Sequence, residues 1–255
     1  MGVVCAAGWR KIFMAELRVL IAAAGKGSRA GLPYPKTLYP VQGKPILVRI
    51  HELLAHLDPC PTVIVSPSGQ AEVADCLLAH GLAAHLVVQS EPGGMGGAVL
   101  RFQSSPVYRS ASDVLLVWGD IPFIQPQTVA LVVDAHRQLG NDFTLATRMV
   151  ESAYTIVTRD SHGNVLRVAE TREMGAAALQ AGERDVGLFV FRKEPVFDLL
   201  QQDLPGKYSK TTGEHGFLHV IEHLVAGGFL VQGLPVATEL DLVSLNTMKD
   251  IEAFL

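Results

Sequence analysis

Along this chain, short continuous apolar runs alternate with apolar residues at helical spacing. Residues 17–24 are apolar apart from Arg18 and stop at Gly25, as in a strand buried on both faces. Over residues 45–57, Ile46, Leu47, Ile50, Leu53, Leu54 and Leu57 recur at helical intervals. A β-branched run at 62–66 predicts a strand, 70–80 a helix ended by Gly81, and 85–89 a further strand. Residues 93–97 predict a glycine loop, with a helix over 98–103 continuing from it. Residues 114–118 predict a strand ending at Gly119-Asp120, 126–139 a helix stopped by Gly140, and 143–148 another strand. From 154 onward the pattern is richer in strands, at 154–158, 165–169 and 186–191, with a hairpin turn at His162-Gly163-Asn164. Helices at 195–202 and 214–226, a strand at 230–236 and a last helix at 246–255 complete the pattern.

This alternation predicts an α/β fold of Rossmann-like type: an open, mostly parallel mixed sheet with helices on both faces. No repeat, low-complexity tract or linker interrupts it, so residues 17–255 read as one domain. Residues 1–16 lack the order of a secretory signal and are expected to form a disordered extension, with Met14 as the natural start.

Composition narrows the function classes. With 49% hydrophobic and 18% charged residues, the chain is not a disordered one. A net charge of −4 leaves no basic footprint for nucleic acid, and no apolar run reaches the ~18 residues of a membrane span. Cys5, Cys60 and Cys76 are sparse and scattered, which suits a reducing cytoplasmic setting.

The chemistry concentrates after the first strand, at Ala22-Ala23-Ala24-Gly25-Lys26-Gly27-Ser28-Arg29. Small residues and glycines let backbone approach a bulky ligand, and successive free N–H groups form an anion nest. Arg29 and Lys36 add positive charge, as a triphosphate requires. Gly25-x-Gly27-x-x-Ala30 also satisfies the relaxed dinucleotide fingerprint, but Pro33 and Pro35 interrupt the helix it needs, and Val65-Ser66-Pro67 lacks the acidic residue. A Walker loop fails because no glycine precedes Lys36. A tight turn without ligand is the plain alternative.

Taken in order, several motifs resemble the sugar-1-phosphate nucleotidyltransferases, in particular the uridyltransferase domain of bacterial N-acetylglucosamine-1-phosphate uridyltransferases. They are Ala-Ala-Gly-x-Gly-Ser-Arg at 23–29, Pro35-Lys36, Gly43-Lys44-Pro45, Gln89 with Gly94-Met95-Gly96, Trp118-Gly119-Asp120, Glu170 and Leu245-Asn246. The resemblance implies a glycosyltransferase-A-like nucleotidyltransferase fold. It also implies transfer of UMP from UTP to a sugar 1-phosphate with release of pyrophosphate, and dependence on Mg²⁺. It assigns Ala23, Ala24, Gly25, Gly27, Lys36, Gln89, Gly94 and Met95 to the nucleotide, Arg29 and Lys36 to catalysis, and Asp120 and Asn246 to the metal. Trp118, Gly119, Thr155, Glu170 and Asp185 fall to the sugar. The partners expected are small molecules, with neither nucleic acid nor membrane.

The sequence departs from the family pattern at four places. Met95 stands where the family has threonine, Thr155 occupies a Tyr-Gly-Arg position, Asp185-Val186-Gly187 replaces Asn-Thr-Gly, and Glu214-His215-Gly216 replaces Glu-Tyr-Tyr. All but the first fall on the sugar side, so the acceptor stays open. CTP or dTTP, a non-sugar phosphate acceptor, and a non-catalytic nucleotide-sugar-binding module remain as alternatives. No hexapeptide repeat occurs in the chain, so acetyl transfer is not expected.

The other chemical features have plainer readings. Asp120 can cap a turn and Asn246 can cap a helix without excluding a ligand role. His215, His219 and His223 fall at helical spacing and are expected on one helix face, as a stripe or a transition-metal site.

Overall fold

The computed structural model describes residues 16–25, 27, 30–91, 93–174, 180–250 and 252. Residues 1–15 of the expected N-terminal extension, and Arg29, lie outside the described residues; Glu16, its last residue, is described, and its carbonyl accepts from Ser112 N–H at 3.0 Å.

The strands in chain order are β1 (Leu17–Ala22), β2 (Pro40–Val41), β3 (Lys44–Pro45), β4 (Thr62–Val65), β5 (His85–Val88) and β6 (Asp113–Trp118). They continue with β7 (Phe143–Ala153), β8 (Thr155–Arg159), β9 (Val165–Glu170), β10 (Gln180–Arg192) and β11 (Val231–Leu234). The helices are α1 (Ile46–Leu54), α2 (Gln70–Ala79), α3 (Gly94–Leu100), α4 (Pro126–Leu139), α5 (Lys193–Gln201) and α6 (His219–Ala226). Seven strands form one sheet in the order β11-β7-β10-β6-β1-β4-β5. Every pairing is parallel except those of β10, which runs against both β6 and β7. The open, mostly parallel mixed sheet expected from the sequence is the one observed. Short hairpins β2–β3 and β8–β9 stand beside it.

Strand periodicity explains why the chain builds two cores rather than one. Val19 and Ile21 of β1, with Leu115 and Val117 of β6, join α1, α2 and α4 on one face. Leu20, Val114 and Leu116, the alternate residues, join α3, α5 and α6 on the other. The second face is aromatic, with Phe102, Phe143, Phe189, Phe191, Phe197 and Phe217 all fully buried. Strands covered on both faces have no polar side to show, so they read as continuous apolar runs.

The structure corrects four expectations. The glycine loop at 93–97 is mostly helix: α3 begins at Gly94, and residues 101–104 tighten into a 3₁₀ turn. β7 and β10 outrun their expected limits, and pair from Ala153 and Gln180 down to Phe143 and Phe191, with register shifts on the way. The helix expected from residue 214 starts only at His219, because residue 215 bridges back to Tyr208 in a hairpin. Where the last helix is expected to start, residues 246 and 247 are not helical and a 3₁₀ turn follows at Met248–Asp250; residues 251 and 253–255 lie outside the described residues.

The C-terminal segment is fixed by one buried carboxylate. Asp241 accepts from the backbone N–H of Gln125 and Thr238 and from the Thr128 and Thr238 hydroxyls, at 2.7–2.9 Å. It thereby satisfies the start of α4 and brings residues 242–246 toward the ends of the central strands.

Candidate active site

The carboxyl ends of β1, β4, β5 and β6 lie along one edge of the sheet, where open α/β sheets bind ligands. The chain is tied there by backbone bonds. Ala23 N–H donates to Ile64 O, Gln89 N–H to Val65 O and Gly119 N–H to Ala22 O, each at 2.9 Å.

A cleft of about 590 Å³ opens at this edge. Its floor is Ala22, Ala24 and Gly25, and its walls include Gln89, Gly93, Gly94, Met95 and Ala98. That size suits a small organic ligand. The cleft thus collects much of the expected nucleotide set. Ser66, Ser68, Glu91 and Glu214 also line it and were missed from sequence. The strand end at Ser66-Pro67-Ser68 was the available signal for the first two.

The glycines of α3 have a packing reason. A Cβ on Gly94, which has φ +68°, would lie 2.5 Å from the His215 carbonyl oxygen, and one on Gly96 would strike Gly216. Gly96 N–H donates to His215 O at 2.9 Å. The helix start is therefore pressed against the segment 214–216. The Gln89 side chain holds the same turn, its Nε2–H donating to Gly94 O at 3.1 Å. One amide hydrogen and the Oε1 acceptor of Gln89 remain for a ligand.

Beside the cleft the stem of Lys36 packs on its lining residue Gly25, where a Cβ would meet the lysine Cε at 2.8 Å. Its ammonium makes an ion pair with Asp120 Oδ2, largely shielded from solvent, and donates to Leu245 O at 3.3 Å. Leu245 N–H donates to Asp120 O at 2.8 Å. Three distant motifs therefore meet at one point: the glycine turn, the end of β6, and Leu245 with Asn246 after it.

The donor set there can be tested against a divalent cation. Asp120 Oδ1 is buried without a hydrogen-bond partner, an expensive state for a carboxylate oxygen. Asn246 follows directly, its Nδ2–H donating to Ser244 Oγ at 3.0 Å. No group of three or more His, Cys, Asp or Glu suited to a metal occurs among the described residues. One carboxylate and one amide oxygen do not make a zinc site, but they fit Mg²⁺, which takes few protein ligands and fills its shell with water and phosphate.

The residues expected at the sugar side are brought near one another but are mostly engaged already. Thr155 Oγ1–H donates to Asp185 Oδ1 at 2.6 Å, and Gly187 N–H donates to Asp185 Oδ2 at 3.0 Å. Asp185 is 1% exposed, and burial pushes its carboxyl pKa up. The pair braces the shift in register where β10 turns at Gly187, φ +75°. Trp118 packs against Phe189, with ring centroids 5.8 Å apart, and its Nε1–H is buried without a partner. Glu170, at the end of β9, pairs its carboxylate with Arg172.

The three histidines do not share one helix face. His215 sits in the hairpin, and only His219 and His223 are on α6. Their rings still run in file, 5.7 and 6.0 Å apart. Burial holds His215 and His219 neutral, both lowered to about 4.

This cleft opens at the carboxyl edge of an α/β sheet, with Lys36 packed on its Gly25 and Asp120 at the end of the adjoining strand. The chain is a member of the MobA-like NTP transferase domain family, whose model matches residues 19–223. It is 29% identical over 239 residues to the bifunctional protein GlmU of Pelotomaculum thermopropionicum, covering 92% of this chain and 50% of that protein. The chain spans about half the length of the curated relatives it matches. Among solved structures, a Bacillus anthracis protein assigned as a glucose-1-phosphate thymidylyltransferase aligns with TM-score 0.74 at 15% identity, covering 93% of each chain. A UDP-glucose pyrophosphorylase complexed with UDP-glucose aligns with TM-score 0.69 at 14% identity, covering 90% of this chain and 96% of that one. These two share the fold. No helix among the described residues is long and apolar enough to cross a membrane.

Proposed function

We propose that this chain transfers UMP from UTP to a sugar 1-phosphate, giving a nucleotide sugar and pyrophosphate. The observation that carries this reading is the ion pair of Lys36 with Asp120 next to Gly25 of the cleft, with the other Asp120 oxygen left without a partner. The base lies toward Gln89 and the Gly94-Met95 turn, and the phosphates along Ala23, Ala24, Gly25 and Gly27.

The acceptor phosphate is ionised at neutral pH, so its oxygen needs no general base. That oxygen bonds to the α-phosphorus as the bond to the departing pyrophosphate breaks, and positioning with charge compensation does the rest. The flexible stem of Lys36 lets its ammonium serve both Asp120 and a bound phosphate. Arg29 joins it by its place in the motif. Asp120 and Asn246 would hold Mg²⁺, which when bound supplies positive charge at the phosphates. On the acceptor side, Glu170 offers its carboxylate to sugar hydroxyls, while Trp118, Gly119, Thr155 and Asp185 shape the wall behind it. The alternatives named above stand behind this reading. Among them dTTP has a specific observation in its favour, because uracil and thymine present the same imide edge to Gln89.

The test is pyrophosphate release with Mg²⁺, over four nucleoside triphosphates and a panel of sugar 1-phosphates, with Asp120→Ala as control. Turnover with UTP and one sugar phosphate, lost in Asp120→Ala, is the expected result. Silence across the panel with UTP still bound overturns it in favour of a sensor or a non-sugar acceptor.

A further inference from the structure

The hairpin of residues 207–216 forms part of one wall of the cleft, through Glu214. Its base is paired: Gly216 N–H donates to Lys207 O at 2.7 Å and Ser209 N–H to Glu214 O at 2.9 Å. Its tip is held from another part of the fold, by the Glu173 carboxylate in the turn after β9. Glu173 Oε1 accepts from the Ser209 hydroxyl at 2.6 Å and the Thr211 hydroxyl at 2.8 Å, and Oε2 accepts from Lys210 N–H at 2.8 Å. Ser209 Oγ in turn accepts from Thr212 N–H at 3.0 Å.

We propose that Glu173 is a positioning residue for nucleotide binding: it clamps the hairpin tip and thereby fixes Glu214 and the start of α3 at the cleft. The inference rests on the nucleotide reading above. The link from hairpin to cleft is rigid. His215 O takes Gly96 N–H, and Gly94 and Gly96 leave no space between helix and hairpin. Gln89 holds the same turn from the far side, so displacing the hairpin displaces the base-facing groups together. The other end of the link lies at the acceptor side. Glu170 is three residues before Glu173, and Arg172 lies against both carboxylates. The clamp thus ties the acceptor-side arm to the nucleotide cleft. These hydrogen bonds, Ser209 first, hold the Glu173 carboxyl down to about 2, so the clamp stays charged across the neutral range.

The experiment compares Glu173→Ala and Glu173→Gln with wild type in three readouts: UTP binding, steady-state kinetics, and trypsin cleavage after the exposed Lys210. Three charge-assisted bonds are lost in Glu173→Ala, so the UTP dissociation constant and KM rise roughly fivefold to tenfold. Cleavage after Lys210 also accelerates, and kcat at saturation stays within about twofold. Glu173→Gln keeps one acceptor oxygen and falls between. Should Glu173→Ala not fold, Ser209→Ala with Thr211→Val breaks the clamp from its exposed side and must give the same KM effect. A folded variant with wild-type UTP affinity overturns the proposal, and so does a loss confined to kcat. A wild-type chain that binds none of the four nucleoside triphosphates overturns the functional reading and the clamp's role with it. Wild-type binding with an unaffected variant overturns the clamp alone.

Discussion

The side proposed for the nucleotide and the side proposed for the acceptor are built on opposite principles. At the ends of β1, β5 and β6 the groups are left open. Asp120 Oδ1 has no partner, and Gln89 uses only one amide hydrogen. Along β8 and β10 the polar groups close on each other, with Thr155 and Gly187 spent on Asp185 and Glu170 paired with Arg172. A buried polar group left unpaired costs stability, so it persists where a ligand is to pair it. On the proposed function, the open side carries the chemistry and the closed side is its frame.

The largest expected effect is at the open side. Asp120→Asn keeps shape and removes charge, and turnover is expected to fall by about 10³-fold in a pyrophosphate-release assay. Activity within tenfold of wild type would show that the unpaired oxygen serves packing rather than phosphate chemistry.

On the closed side the same kind of change should strike folding instead. Asp185→Ala strands the Thr155 hydroxyl and the Gly187 N–H, and is expected to cost about 3 kcal/mol in urea unfolding. If stability holds and the acceptor KM rises, Asp185 touches the sugar, and the contrast between the two sides fails.

Between them sits the hairpin that joins the sides, with the imidazole of His215 in it and that of His219 beside it at the start of α6. His215 and His219 have pKa values of about 4, caused first by burial and then by neighbouring Lys207 and histidine charge. Unfolded histidine takes its proton near 6.5, so below that pH the unfolded chain binds protons that the folded one refuses. Stability is therefore full above about 6.5 and falls as the pH is lowered toward 4. A loss of roughly 2 kcal/mol for each of the two imidazoles between pH 7 and 5 is expected in urea unfolding. His219→Phe should flatten that slope; an unchanged slope would place the proton uptake elsewhere.

Local sequence made the central sheet legible. The apolar runs of β1, β4 and β6 and the period of α1 and α4 match their elements, since burial on both faces and helix caps leave direct marks. The motif order also led to the residues that line the cleft. What stayed hidden depends on partners far along the chain. The glycines of α3 read as a loop because their cause, the segment 214–216, is more than a hundred positions away. Asp241 reaches 113 residues back to Thr128, and Glu173 reaches 36 forward to Ser209. No window of local periodicity contains either contact. The extra length of β7 and β10 is likewise a product of their pairing with each other, since their outer parts are polar.

The smallest effect concerns the one departure from the family pattern that lies on the open side. Met95 lines the cleft and packs its stem against the aromatic-rich core, where the family carries threonine. A thioether adds apolar contact but no useful donor, so the base is left to Gln89 and backbone. Met95→Thr returns a hydroxyl at that point and removes packing. UTP KM is expected to drop by about twofold to fivefold, the worth of one neutral hydrogen bond, with kcat unchanged. The lost methionine contacts should cost up to about 1 kcal/mol in the same unfolding assay. The comparison across bases sharpens this. A hydroxyl beside the base edge changes KM for UTP and CTP unequally, whereas a hydroxyl beside the ribose changes both alike. An effect on the acceptor KM instead would place residue 95 on the wrong side of the cleft, and with it the boundary between the open and closed halves.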